Sequence, residues 1–141
     1  MAITSAICSS FKQQILVEGH NLTNGADSIK LALYTSSATL GAGTTVFVTT
    51  GQATGTNYSS GGSALTNVTP ALSGTTAVCD FADLTFGTAT VTARGCLLYN
   101  TTNGNKALCA IDFGGDKTST SGDFIVVFPS ATATGAIIRL A

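Results

Sequence analysis

Apolar and polar residues alternate with a period of two along most of the chain, and a helical period shows clearly in one place only. That place is the N-terminus, where Ile7, Phe11 and Ile15 recur at i, i+4 and i+8 between Thr4 and Glu18. The spacing predicts an amphipathic helix of about 14 residues within positions 1–19, with Thr4 or Ser5 as N-cap and Gly19 as its stop. So short a helix is marginal alone in water, and its apolar stripe must dock either on its own sheet or on a neighbouring protein.

After the polar break 20–28, Ile29, Leu31 and Leu33 alternate with Lys30, Ala32 and Tyr34, which predicts a strand with one buried face. Positions 37–62 read as a long Gly/Ser/Thr-rich region. It holds one candidate strand, Thr45–Thr50, and serves either as a surface loop or as a contact arm. From Ala64 short strands follow at nearly even spacing: Ala64–Pro70, Thr75–Phe81, Ala82–Phe86 and Ala89–Ala93.

The strongest local signal comes next, where two apolar runs flank Asn103-Gly104 and predict a hairpin over Arg94–Phe113. With those two residues as the turn, Leu98 faces Cys109, Leu97 faces Ala110 and Cys96 faces Ile111. The loop 114–123 then leads to the apolar run Phe124–Pro129, read as a buried strand, and a last strand covers Gly135–Ala141. Regularly spaced short strands without alternating helices imply one mainly β domain over 1–141. The expected form is an antiparallel β-sandwich or jelly-roll-like barrel with one short N-terminal helix.

Composition sharpens this picture in one respect. Charged residues make up 9% of the 141 positions and the formal net charge is -1, against roughly 25% charged in ordinary soluble domains. Little repulsion then keeps copies apart, so self-association is expected. The six basic residues are scattered and form no patch for a nucleic acid. No apolar run approaches a bilayer-spanning length, and the N-terminus lacks a basic stretch before an apolar core, so synthesis in the cytoplasm is expected, with no membrane partner.

Candidate chemistry is sparse. Cys8, Cys79, Cys96 and Cys109 show no CxxC spacing, which disfavours zinc. They read as small buried hydrophobes or, after release from the cytosol, as disulfide partners within or between copies. Cys8 is the candidate for an inter-subunit bridge. Cys96 and Cys109 stand diagonally in the hairpin register and are expected to stay reduced. His20 is the single histidine, and no GxSxG elbow presents a nucleophile to it. Asp80, Asp83, Asp112, Asp116 and Asp123 sit at turns and loop ends, where Asp bonds its own backbone. The expectation is therefore no enzyme, no cofactor and no metal site, with carbohydrate-active chemistry as a remote alternative.

Longer stretches carry a resemblance. Ser9–Leu16 (SSFKQQIL), Ile29–Thr45 (IKLALYTSSATLGAGTT), Thr54–Pro70 (TGTNYSSGGSALTNVTP), Ala93–Pro129 and the terminal IIRLA resemble small structural proteins encoded in the virion gene clusters of tailed bacteriophages. The resemblance spans the whole chain and implies a virion protein made in the host cytoplasm. A capsid decoration or cement role is the first expectation, at the capsid surface, with the major capsid protein as partner and a trimer or dimer as assembly. A tail or neck component (tube-like, adaptor or fibre-base) is the alternative. On the decoration reading the candidate contacts are Ile7, Phe11 and Ile15 on the helix, with Phe47 and Tyr58 in the long loop as anchors.

Overall fold

In a computed structural model that describes residues 2–141, the chain folds into two antiparallel sheets and one short helix. The strands are β1 (Ala6–Ile7), β2 (Ile29–Tyr34), β3 (Gly55–Thr56), β4 (Ser63–Ala64), β5 (Asn67–Ser73), β6 (Thr76–Phe81), β7 (Leu84–Asn100), β8 (Lys106–Val126) and β9 (Ile138–Leu140). The larger sheet runs β1-β8-β7-β2-β4, with β3 added on β7, and the smaller runs β5-β6-β9. The arrangement is sandwich-like, and neither sheet closes into the barrel that was the other expectation.

The central hairpin has the expected register in its body: Leu98 faces Cys109, Leu97 faces Ala110 and Cys96 faces Ile111. Its tip is different. Tyr99 faces Ala107 and Asn100 faces Lys106, so Leu108 bulges and a five-residue loop, 101–105, replaces the two-residue turn. The left-handed residues are Gly104 (φ 63) and Asn105 (φ 58), not Asn103. The cause is Asn100, whose Oδ1 accepts the Thr102 and Asn103 N–H groups at 3.0 and 3.2 Å and stabilises the wider loop.

Both hairpin strands also extend much further than the pattern indicated. The stretch 114–123 is not a loop; it continues β8 and pairs with the first half of β7, joining Ala82–Phe86 and Ala89–Ala93 to the hairpin. Hydroxyls substitute for apolar pairs there: Thr92 and Thr118 share a bond of 2.9 Å, and Ser119 donates to the Ala89 carbonyl at 2.8 Å.

Helix α1 (Ser9–Ile15) has seven residues instead of the fourteen or so suggested by the periodicity. The preceding segment goes into sheet contacts, because Ile3 bridges Leu40 while Ala6 and Ile7 pair with Ala110 and Cys109. Cys8 therefore occupies the N-cap position, not Thr4 or Ser5. At the other end Glu18 is left-handed (φ 59) and the Gly19 N–H returns to the Gln14 carbonyl.

β2 is buried on both faces, not one. The long segment 37–62 lies against it: Ala53 N–H donates to the Leu33 carbonyl and the Tyr34 hydroxyl to the Val48 carbonyl. Gly62, with φ +77, lies where a side chain would strike the Leu31 carbonyl. The segment is thus a fitted cover. Thr45–Thr50 is not a regular strand: Val46 bridges Lys106, with the Phe47 N–H on the Asn105 carbonyl and the Ala107 N–H on the Thr45 carbonyl. One hydrophobic cluster takes in Phe11, Leu33, Tyr58, Phe81, Leu97, Phe124 and Ile138, from the helix, the cover and both sheets.

Candidate interaction surface

The residues singled out as contact anchors occupy graded depths. Phe11 is 2% exposed and belongs to the core, with its ring 4.9 Å from that of His20. Tyr58 is buried as well: its hydroxyl accepts the Leu33 N–H at 2.8 Å and pairs with Gln52 Oε1 at 3.1 Å. Burial pushes that phenol up to about 12, so it is a neutral donor at any working pH. Ile7, Ile15 and Phe47 are partly buried against the cluster, and Phe47 stacks on Tyr99 at 4.6 Å. Phe11 and Tyr58 are therefore spent inside their own domain and offer no surface to a partner. The apolar stripe of the helix faces its own core, and the residues it leaves outside are Leu16 and Val17.

Cys8 was the candidate for a bridge between copies, and its position rules that out in this fold. It is fully buried and free, with its N–H on the Leu108 carbonyl and its thiol near the Gly41 carbonyl. Burial raises the thiol to about 11, and Cys109 to about 12, which leaves almost no thiolate. Cys96 is buried and raised for the same reason, while Cys79 is half-buried.

His20 lies in a polar network that links three segments. Asn100, fully buried, donates one amide hydrogen to Asp27 Oδ2 at 2.7 Å and the other to His20 Nδ1 at 3.0 Å. The other ring nitrogen must then carry the proton, and Nε2 donates to Gln14 Oε1 at 2.7 Å. Desolvation lowers the imidazole below its usual value, with Asp27 opposing and Lys106 assisting. Both ring nitrogens are occupied by carboxamides, and no hydroxyl or thiol bonds to either. Asp27 also accepts the Asn21 N–H, and Asn103 donates to the Gly19 carbonyl. The network straps the 19–28 segment to the hairpin tip; its chemistry is structural.

Four other carboxylates, Asp116 not among them, are similarly engaged. Asp80 accepts from Phe81 N, Asp83 from Phe128 N and Asp123 from Thr88 N. Asp112 accepts from Gly114 N and pairs with Arg94 at 3.1 Å, and these hold its carboxyl below the usual range. Among the described residues no three His, Cys, Asp or Glu side chains are grouped so as to hold a metal ion.

Exposed apolar side chains mark the surface instead. Leu16 (84%) and Val17 lie at the end of α1. Leu72 (74%) and Leu140 flank Ala77 in a cross-strand row of the small sheet. Ile125 (54%) and Val127 (70%) lie at the end of β8 and just beyond it. Beside β8 runs a groove of about 480 Å³ lined by Phe113, Phe124, Phe128 and Ile137 among others. The unbroken run Phe124–Phe128 concealed this feature, because it reads as a strand buried on both faces. Only Phe124, Val126 and Phe128 turn inward. Leu16 and Val17 were legible in principle, since they fall off the Ile7–Phe11–Ile15 stripe.

The chain matches no family model, no curated protein and no solved structure.

Proposed function

We propose that the protein is a bacteriophage virion structural protein of the capsid decoration type, which binds the major capsid protein at the outer surface of the shell and associates with copies of itself. The observation that carries this reading is the placement of large apolar side chains in pairs on the outside of a well-packed domain of low charge: Leu16/Val17, Leu72/Leu140 and Ile125/Val127. Exposed apolar side chains that stand together mark sites of protein–protein contact. Several modest apolar contacts repeated by symmetry suit a protein held in a shell by avidity. The resemblance of the whole chain to small virion proteins of tailed phages agrees with it.

Quantitative gels of purified particles, with labelled protein located by electron microscopy, test the proposal. Decoration requires copies on the order of hundreds per particle, spread over the shell. A count near a dozen at one vertex would favour the tail or neck reading, and absence from particles would overturn both.

A further inference from the structure

His20 fills a slot that suits only the neutral ring. Its Nε2 donates to Gln14 Oε1 of α1 at 2.7 Å, and its Nδ1 accepts from Asn100 Nδ2 at the end of β7 at 3.0 Å. Asn100 cannot turn its amide over, because Oδ1 already accepts the Thr102 and Asn103 N–H groups while Nδ2 also donates to Asp27 Oδ2. An imidazolium carries a proton on both nitrogens, so either orientation of the ring would set one N–H against the Asn100 amide hydrogens. Two charged groups act on the ring. Asp27, in the same segment, attracts the cation, yet its Oδ2 is already taken by Asn100 and by the Asn21 N–H. Lys106, at the start of β8, opposes it. From α1 the ring meets the neutral Gln14 and the Phe11 ring, and from β6 the Cys79 thiol borders the same cavity. That cavity, of about 260 Å³, has Phe11, Ile15, Leu22 and Ile138 in its wall beside His20.

We propose that His20 is a plug released by acid: once protonated, its ring swings into water and the apolar cavity beside Phe11 opens at that corner. The rest of the 19–28 segment stays in place, because its other ties involve no titrating ring. Gly19 is held by the Gln14 carbonyl and the Asn103 side chain, Asn24 by Thr69 Oγ1 and the Asn67 carbonyl, and Ser28 by Thr102 Oγ1. The opening is therefore confined to one side chain of a folded protein and is distinct from the loss of global stability. Its direction follows from burial, which lowers the folded value of the ring below that of a free imidazole. The plug is seated above about pH 6.5 and leaves as pH falls through the folded value.

Proton NMR of the full-length protein at pH 7.5 and 5.0 provides the test, because His20 is the only histidine and its ring signals are unambiguous. At pH 7.5 the ring should cross-relax with the Phe11 ring, whose centroid lies 4.9 Å away. At pH 5.0 the ring should be protonated and that cross-peak weaker by about threefold or more, while the dispersed signals of the rest of the domain persist. A dye that fluoresces on apolar surface gives a second reading. The ratio of its signal on the wild type to that on His20→Gln, whose amide does not titrate, should rise by about threefold or more over the same range. Circular dichroism checks that both proteins are folded, and the NMR arm needs no variant. A protonated ring that keeps its Phe11 contact, held in place through Asp27, overturns the proposal. So does a ring that stays neutral until the whole chain unfolds, or a dye ratio that does not change with pH.

Discussion

Tyr58 shows how one hydroxyl fixes the cover over β2. Its oxygen accepts the Leu33 N–H at 2.8 Å in the core, where no water can substitute. Tyr58→Phe keeps the ring, with its tilted contact to Phe86 at 5.3 Å, and leaves the Leu33 amide without a partner. The expected cost is about 1–3 kcal/mol, read as a lower urea midpoint at unchanged slope; an unchanged midpoint would refute the role of that bond. His20 makes a second residue-scale prediction. Its imidazole is held below the usual 6.5, so between the two values the unfolded chain binds the proton more readily. The stability that depends on neutral His20 is complete above about pH 6.5 and is lost as pH falls through the folded value. Protonation at Nδ1 would also set a donor against the Asn100 amide. Urea midpoints at pH 7.5 and 5.0 should therefore fall more for the wild type than for His20→Gln; equal falls would show that the ring does not sense the change. The Asp112 carboxyl, depressed by the Gly114 N–H and then Arg94, gives its own loss only at more acidic pH, around and below its unfolded value of 3.8.

At the scale of elements, α1 is divided between an inward and an outward side chain. Phe11→Asp places a carboxylate among Phe, Leu and Ile side chains and should abolish cooperative unfolding. Leu16→Asp, on a side chain mostly in water, should change stability by no more than about 0.5 kcal/mol. If Phe11→Asp stayed folded, the helix would be a detachable arm and not part of the core. The helix also shows why some elements were legible in the sequence and others were not. Ile3 and Ile7 fit a helical stripe, yet an available sheet edge at β8 and the neighbourhood of Leu40 give them strand-like partners, and tertiary pairing wins over periodicity. The hairpin body from Cys96 to Leu98 could be read with its register, because a period-two pattern with a turn signal leaves few alternatives. The second half of β8 could not, since Thr118, Ser119, Thr120 and Ser121 look like a loop until β7 supplies hydroxyl and backbone partners. The exposed apolar pair Ile125 and Val127 was hidden by the run it belongs to.

The two sheets share one core, and that has a consequence for the whole molecule. Phe81 of β6 packs on Phe128 at 5.7 Å, and Ile138 of β9 joins the same cluster as the central strands and Phe11. No second cluster exists among the described residues to hold the small sheet once those contacts open. The whole chain should therefore melt in one transition, with a calorimetric enthalpy on the order of 100 kcal/mol near 60 °C for a chain of this length. That value should equal the van't Hoff enthalpy. Ile138→Ala removes a buried side chain from the seam between the sheets and should lower the single transition by about 2–5 kcal/mol without splitting it. A van't Hoff enthalpy well below the calorimetric one, or a separate early transition in Ile138→Ala, would mean that the small sheet opens independently. The Leu72–Ala77–Leu140 row would then belong to a mobile flap, and a partner on the shell would have to order it at a cost in affinity. A single transition means that the row is presented rigidly, already in the geometry that a repeated contact needs.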